Sequence, residues 1–102
     1  MNDQNRSPLS IEIQYTKAAE KFFLAHEDVR KQYESTMAEL LTGKQTANID
    51  VKRIQGKRSV YYRLRLGGWR VVYAVINGRI VVVQTLLAGP RGDIYKKMSG
   101  LK

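Results

Sequence analysis

The chain has 102 residues, 43% of them hydrophobic, and no cysteine, so it suits one folded domain and excludes disulfides and thiolate metal sites. Its net charge of +9 is unevenly placed: residues 51–102 carry twelve Lys or Arg and one acidic residue, whereas residues 1–50 carry six basic and eight acidic residues. This asymmetry indicates a nucleic acid or an acidic protein as partner, and the absence of a basic amphipathic helix argues against a membrane surface.

Short tails are predicted at both ends of a single domain. Residues 1–10 are expected to be flexible, residues 11–97 to form the domain, and residues 98–102 to form a C-terminal tail. The N-terminal residues contain no apolar signal core, and no apolar run approaches the length of a membrane span. We therefore expect a cytoplasmic protein.

The first half of the sequence predicts one strand followed by two helices. Apolar and polar residues alternate over Ile11–Tyr15, as in a half-buried strand. Thr16 is a suitable N-cap for the first helix. The second helix is predicted to begin near His26 or Glu27, and Gly43 is a suitable residue to end it.

The second half changes to a period of two, which predicts successive strands. They are expected at Asp50–Ile54 (weak), Tyr61–Leu66, Trp69–Ile76 and Arg79–Leu86. Gly67-Gly68 and Asn77-Gly78 are two-residue hairpin signals, the second typical of a type I′ turn. The sequence therefore predicts an α+β domain of order β-α-α-β-β-β, with two N-terminal helices packed on one face of a small, mainly antiparallel sheet.

These turns set the predicted register. Arg65 is expected opposite Arg70 across the first turn; across the second, Tyr73 is expected opposite Val82 and Arg70 opposite Thr85. The face toward the helices would then carry Leu64, Leu66, Val71, Tyr73, Val75, Ile80 and Val82. The other face would carry Val72, Ala74 and Val83 at one end and Arg63, Arg65, Arg70 and Thr85 at the other.

We call Arg63, Arg65 and Arg70 the arginine patch. Like charges directly opposite each other destabilise a sheet, by up to about 1 kcal/mol, so this arrangement does not serve folding. Binding of a polyanion would explain it. Arg63 and Arg65 alone would be interpreted as solvent-exposed strand residues, but the addition of Arg70 and of Arg91 further along favours a functional site.

The last patterned segment follows the final strand. Asp93 is predicted to cap a final turn of helix, which would bring Arg91 and Tyr95 near Thr85 and hence near the arginine patch. Tyr95 has two open interpretations, a functional group or a packing residue. His26, the one histidine, is interpreted as a capping or surface residue, which argues against histidine-based ribonuclease or metal chemistry.

The order of elements resembles the RelE/ParE superfamily of bacterial toxins from toxin–antitoxin pairs. The resemblance is carried by Tyr-Tyr-Arg-Leu-Arg-Leu-Gly-Gly-Trp-Arg-Val-Val-Tyr at residues 61–73 and by Gly-Pro-Arg-Gly-Asp-Ile-Tyr-Lys at residues 89–96, and it extends over Ile11–Lys97. It implies an antitoxin partner that neutralises the chain. RelE-type members enter the ribosomal A site and cut mRNA, whereas ParE-type members inhibit DNA gyrase and cut nothing.

The resemblance favours the RelE-type activity, a metal-independent endoribonuclease that needs no cofactor. The family's residues for RNA cleavage match Arg63, Arg65, Arg70, Arg91 and Tyr95. RNA-binding is expected at Lys52, Lys57, Arg58, Lys96 and Lys97. The gyrase inhibitor stays open as the alternative.

The proton-accepting group is not assigned by the sequence. RelE-like members commonly have lysine at the two matched strand positions, where this chain has Arg63 and Arg65, and arginine stays protonated in proteins. Lys52 and Lys57 are the fallback candidates. An inactive relative is therefore a third possibility.

Overall fold

The computed structural model describes residues 10–43, 48–57 and 59–98. Its strands and helices in these ranges are β1 (Ile11–Tyr15), α1 (Lys17–Ala25), α2 (Glu27–Thr42), β2 (Val51–Gln55), β3 (Val60–Leu66), β4 (Trp69–Asn77), β5 (Val81–Pro90) and α3 (Arg91–Met98). The predicted tails, apart from Ser10 and Met98, lie outside the described residues. The predicted α+β class is confirmed. The order is β-α-α-β-β-β-β-α, because the weak segment forms a full strand and the final turn extends into a helix.

Side-chain and backbone caps fix the first two helices. The Thr16 hydroxyl accepts a hydrogen bond from the Ala19 N–H at 3.2 Å, as predicted for an N-cap, and donates one to the Leu86 carbonyl at 2.7 Å. It thereby joins the start of α1 to β5. At the end of α2, Gly43 has a φ of 77°, and its N–H donates to the Glu39 carbonyl. None of the described helices is long and apolar enough to cross a membrane.

The five strands form one sheet in the order β1-β5-β4-β3-β2. β1 pairs with β5 in parallel, and the other pairs are antiparallel. The predicted first hairpin is confirmed, with Leu66 opposite Trp69 and Arg65 opposite Arg70. Gly67 has a φ of 61°, the positive value that a type II′ turn requires at its first central position.

The main core lies between the sheet and the helices α1 and α2. Phe23, Tyr33 and Met37 of the helices are fully buried against sheet residues such as Leu64. The hydroxyls of Tyr33 and Thr85 share a buried hydrogen bond of 2.7 Å. This pairing satisfies two polar groups that water cannot reach.

The predicted register between β4 and β5 is wrong. Asn77 pairs with Val81, so a three-residue connection replaces the predicted two-residue turn. Tyr73 pairs with Thr85 instead of Val82, and a register shift follows between Val72 and Tyr73.

This shift moves residues of β5 to the opposite face from the predicted one. Val83 and Thr85 are fully buried on the side of the helices, whereas Ile80 is 42% exposed and Val82 is half-buried. The reason lies in Ile80–Val83, four consecutive apolar residues. Because apolar residues occupy both faces there, alternation does not specify which face meets the core.

The second face of the sheet is covered by α3. Ile94 and Met98, one helical turn apart, pack against Val72 with Ile54 and Tyr61 beside them. The placement of Val72 on this face agrees with the prediction. Burial of this apolar stripe explains why the chain forms a helix of eight residues and not a single turn.

Candidate functional site

The arginine patch lies on the sheet face that α3 partly covers, but its members differ in exposure. The side chain of Arg63 is 13% exposed and that of Arg65 is 55% exposed, whereas Arg70 is 6% exposed. Arg65 and Arg70 are directly opposite each other in the sheet. They therefore differ in how deeply they are buried and not in their position along the strands. Three similar residues in the sequence therefore have three different environments.

Arg70 is held by the turn between β3 and β4. Its Nη1 donates to the carbonyl of Gly67 at 2.8 Å and to the carbonyl of Trp69 at 2.9 Å. Hydrogen bonds from a charged donor contribute about 1.5–3 kcal/mol each. Among the described residues no partner contacts the buried Nε of Arg70 or that of Arg63. Arg70 thus stabilises the hairpin, a role that its position in the sequence does not reveal.

A carboxylate belongs to the same surface. Arg63 Nη2 donates to Asp50 Oδ1 at 3.2 Å, and Arg65 Nη1 lies 3.9 Å from Asp50 Oδ2. The sequence interpretation missed this residue, because the weak strand had no predicted register. With β2 antiparallel to β3, the N–H of Arg65 donates to the Asp50 carbonyl at 3.0 Å, which places the two side by side. Asp50 orients two arginines and offsets part of their mutual repulsion.

Arg91 and Tyr95 occupy the start of α3, one helical turn apart. The Arg91 guanidinium carbon is 5.6 Å from the centre of the Tyr95 ring, and Tyr95 is 46% exposed. The predicted proximity of Arg91 and Tyr95 to Thr85 is wrong, because Thr85 faces α1 and α2, on the opposite side of the sheet from α3. The two residues approach the patch through Gly89, which pairs with Arg70 at the end of β5.

The surrounding cations change the acidity of Tyr95. A hydrogen bond with Arg91 lowers the pKa of the Tyr95 phenol below its usual value, while desolvation opposes this effect. The positive charges of Arg91, Arg63 and Arg70 lower the pKa further. Tyr95 is therefore electrostatically coupled to residues from β3, β4 and α3.

A groove of about 490 Å³ runs between α3 and the edge strand β2. Its lining consists of Lys52–Gln55, Arg63, Tyr95 and Met98. Lys52 is paired with Arg63 across the two strands. The groove therefore combines an amine, a guanidinium and a phenol, the kinds of group that bind a phosphate and transfer protons.

The predicted RNA-binding residues do not all converge on this groove. Lys52 lines it, whereas Lys57 is exposed in the turn after β2 and is not part of the lining. Arg58 lies outside the described residues. Lys96 and Lys97 are exposed on α3, and Lys97 lines a separate depression of about 340 Å³ beside α1.

The single histidine does not line the groove. His26 is at the N-cap of α2, but its side chain makes no capping hydrogen bond. It stacks instead against Phe22 at 4.4 Å and lies 4.7 Å from Trp69, between ring centres. Over the described ranges, no three His, Asp or Glu side chains come together as a possible metal site.

Comparisons with known proteins agree with this architecture. No protein-family model and no curated relative matches the sequence. One similar solved structure is the RelE–RelB complex from the archaeon Pyrococcus horikoshii OT3, with 24% identity, a TM-score of 0.59, and coverage of 82% of this chain and 98% of that chain. Another is the RelB–RelE antitoxin–toxin complex from Methanococcus jannaschii, with 24% identity, a TM-score of 0.55, and coverage of 82% and 96%.

These likenesses extend over most of both chains, and at this identity they establish the architecture and not the chemistry. The α+β arrangement of sheet and helices expected from the sequence is found in the structure. The chain has a RelE-like α+β fold.

Proposed function

We propose that this chain is the toxin of a toxin–antitoxin pair and that it cuts mRNA in the ribosomal A site, which blocks translation. The RelE-like fold supports the toxin assignment. The observation that carries the nuclease assignment is the position of Tyr95 beside Arg91, with Arg63 and Lys52 across the same groove. This set of groups matches what RNA cleavage requires.

Cleavage in this proposal uses the RNA's own 2′-hydroxyl. A base removes the 2′-hydroxyl proton, the 2′-oxygen attacks the adjacent phosphorus, and the bond from phosphorus to the 5′-oxygen breaks. An acid then protonates the leaving 5′-oxygen. The products are a 2′,3′-cyclic phosphate and a 5′-hydroxyl, and the transition state carries additional negative charge on the phosphate.

Each requirement has a candidate residue. Arg63 and Arg91 supply fixed guanidinium donors for the developing negative charge. Tyr95 accepts the 2′-hydroxyl proton, because neighbouring cations favour its phenolate form. The Lys52 ammonium donates to the leaving oxygen from the other side of the groove. Arg70, held by backbone carbonyls, contributes positive charge and holds the hairpin.

The proposed protein partner is an antitoxin with acidic residues. The exposed cations Arg65 and Arg91 lie on the surface that also contains the groove. A partner that presents carboxylates there would neutralise the charge and cover the groove at the same time. Binding and inhibition would then be one event.

Primer extension on a reporter mRNA in a cell-free translation system tests the nuclease assignment. We expect new 5′ ends inside codons with the wild type, only while translation proceeds, and a loss of about 100-fold or more with Arg91→Ala, as one preorganised donor to the developing charge contributes about 10²–10³-fold. Arg79→Ala is the matched control, since Arg79 is exposed between β4 and β5. Intact mRNA together with inhibition of gyrase supercoiling would replace the nuclease by the ParE-type alternative.

A further inference from the structure

We propose that Asp50 is a positioning residue of the nuclease, whose carboxylate fixes the Arg63 guanidinium in the orientation that contacts the phosphate during cleavage. This inference rests on the proposed function and deepens it by naming a residue that acts on the reaction through Arg63. Asp50 directly precedes β2. Its role follows from the contacts that this position makes with β3.

The strand register places Asp50 on the sheet face that carries the arginine patch. Lys52 is paired with Arg63 and lines the groove with it. Asp50 lies two residues before Lys52 and therefore on the same face, because side chains alternate along extended backbone. The hydrogen bond of 3.0 Å from the Arg65 N–H to the Asp50 carbonyl keeps the two backbones aligned. The carboxylate is thus held beside the guanidinium groups by backbone pairing.

The restraint on Arg63 is a hydrogen bond of 3.2 Å from its Nη2 to Asp50 Oδ1. In the described part of the chain, no second hydrogen bond holds this guanidinium, and its buried Nε has no partner. An arginine side chain carries about 2 kcal/mol of rotamer entropy, so this one bond has a large share in setting its orientation. The Nη1 group, which Asp50 does not bind, is left as a donor for a phosphate in the groove.

The same carboxylate lowers the cost of bringing three cations together. Asp50 Oδ2 lies 3.9 Å from Arg65 Nη1, so two arginines share one negative charge. Arg65 is also opposite Arg70, a pairing of like charges that destabilises a sheet. Because the Asp50 side chain is 51% exposed, solvent screens these ion pairs and they add little to stability. Loss of the carboxylate should therefore change the reaction rate more than it changes the stability of the fold.

Single-turnover cleavage separates positioning from binding. The protein, in excess, is mixed with ribosomes that hold a mapped codon in the A site, and the maximum rate and the half-saturating concentration are measured. We expect Asp50→Asn to lower the maximum rate about tenfold or more, because small misplacements of a catalytic group are costly. The half-saturating concentration should not rise, since removal of a carboxylate does not weaken binding to RNA. Asp50→Glu should restore most of the rate.

Glu39→Gln is the matched control, because it removes the same charge from an exposed position on α2, across the sheet from the patch. The pH–rate profile of Asp50→Asn should keep the shape of the wild-type profile. An unchanged maximum rate in Asp50→Asn would overturn the inference. Disappearance of the acidic limb of the profile in this variant would overturn it too, because Asp50 would then be the proton acceptor.

A second measurement needs no cleavage, so it separates this inference from the proposed function. NMR of the ¹⁵N-labelled guanidinium groups measures how fast each Nη group rotates. We expect slow rotation of the Arg63 Nη2 group in wild type and in Glu39→Gln, and faster rotation in Asp50→Asn. Equally fast rotation in wild type and Asp50→Asn would overturn the inference even if mRNA is cut. Slow rotation in a wild type that cuts no mRNA would count against the nuclease and leave the hold of Asp50 on Arg63 in place.

Discussion

Replacement of Arg70 by alanine is expected to destabilise the fold, although the sequence places Arg70 among the catalytic candidates. The variant loses two hydrogen bonds from a charged donor, to the carbonyls of Gly67 and Trp69, worth about 1.5–3 kcal/mol each. Relief of the repulsion with Arg65 returns up to about 1 kcal/mol. We expect a net loss of about 2–6 kcal/mol.

Urea denaturation followed by circular dichroism measures this loss, and thermal unfolding should show a Tm lower by about 8–16 °C for the first 2 kcal/mol. Arg65→Ala is the matched control, since this residue lies opposite Arg70 but is 55% exposed. Its free energy of unfolding should change by no more than about 1 kcal/mol, because relief of the same repulsion and loss of the exposed ion pair with Asp50 act in opposite directions. Equal stability of the two variants would refute the structural role of Arg70.

Three further predictions concern other parts of the structure. Tyr33→Phe leaves the buried Thr85 hydroxyl without its partner, so urea denaturation should show a free energy of unfolding lower by about 1–3 kcal/mol. Adding Thr85→Val should largely restore it, and no recovery would argue against the hydrogen bond. The difference in tyrosine absorbance between wild type and Tyr95→Phe should show Tyr95 ionising below pH 10, and Arg91→Ala should move this transition upward. Because the folded-state pKa is the lower one, ionised Tyr95 stabilises the fold above the unfolded pKa of about 10, and this contribution disappears as the pH falls through the folded pKa. An unchanged transition in Arg91→Ala would contradict the coupling. Gly56→Ala places a Cβ 2.8 Å from a backbone carbonyl oxygen and against a tyrosine ring, so thermal unfolding should show a loss of about 1–3 kcal/mol; an unchanged Tm would contradict this turn geometry.

Local signals predicted much of the fold. The Thr16 hydroxyl can cap a helix start, and Gly43 can adopt the left-handed backbone that ends a helix. Both do so in the structure. Gly67-Gly68 fixed the register of the first hairpin and hence the opposition of Arg65 and Arg70. Such signals depend on a few neighbouring residues, which is why they are readable in one sequence.

The errors arose where tertiary contacts decide between local alternatives. Ile80–Val83 is apolar on both faces, so the contact of Thr85 with Tyr33, which selects the register, cannot be read from periodicity. Alternation placed Arg70 on the correct face but not at its depth under the hairpin turn. Asp50 was missed because its partners come from another strand.

In the proposed mechanism, the groups around Tyr95 promote attack by the RNA's own 2′-hydroxyl. The most direct measurement uses a reporter mRNA that carries a single 2′-deoxynucleotide on the 5′ side of a mapped cleavage point, translated beside the unmodified message. We expect this position to resist cutting while other sites are cut as before. Cleavage at the 2′-deoxy position at the rate of the unmodified message would contradict it.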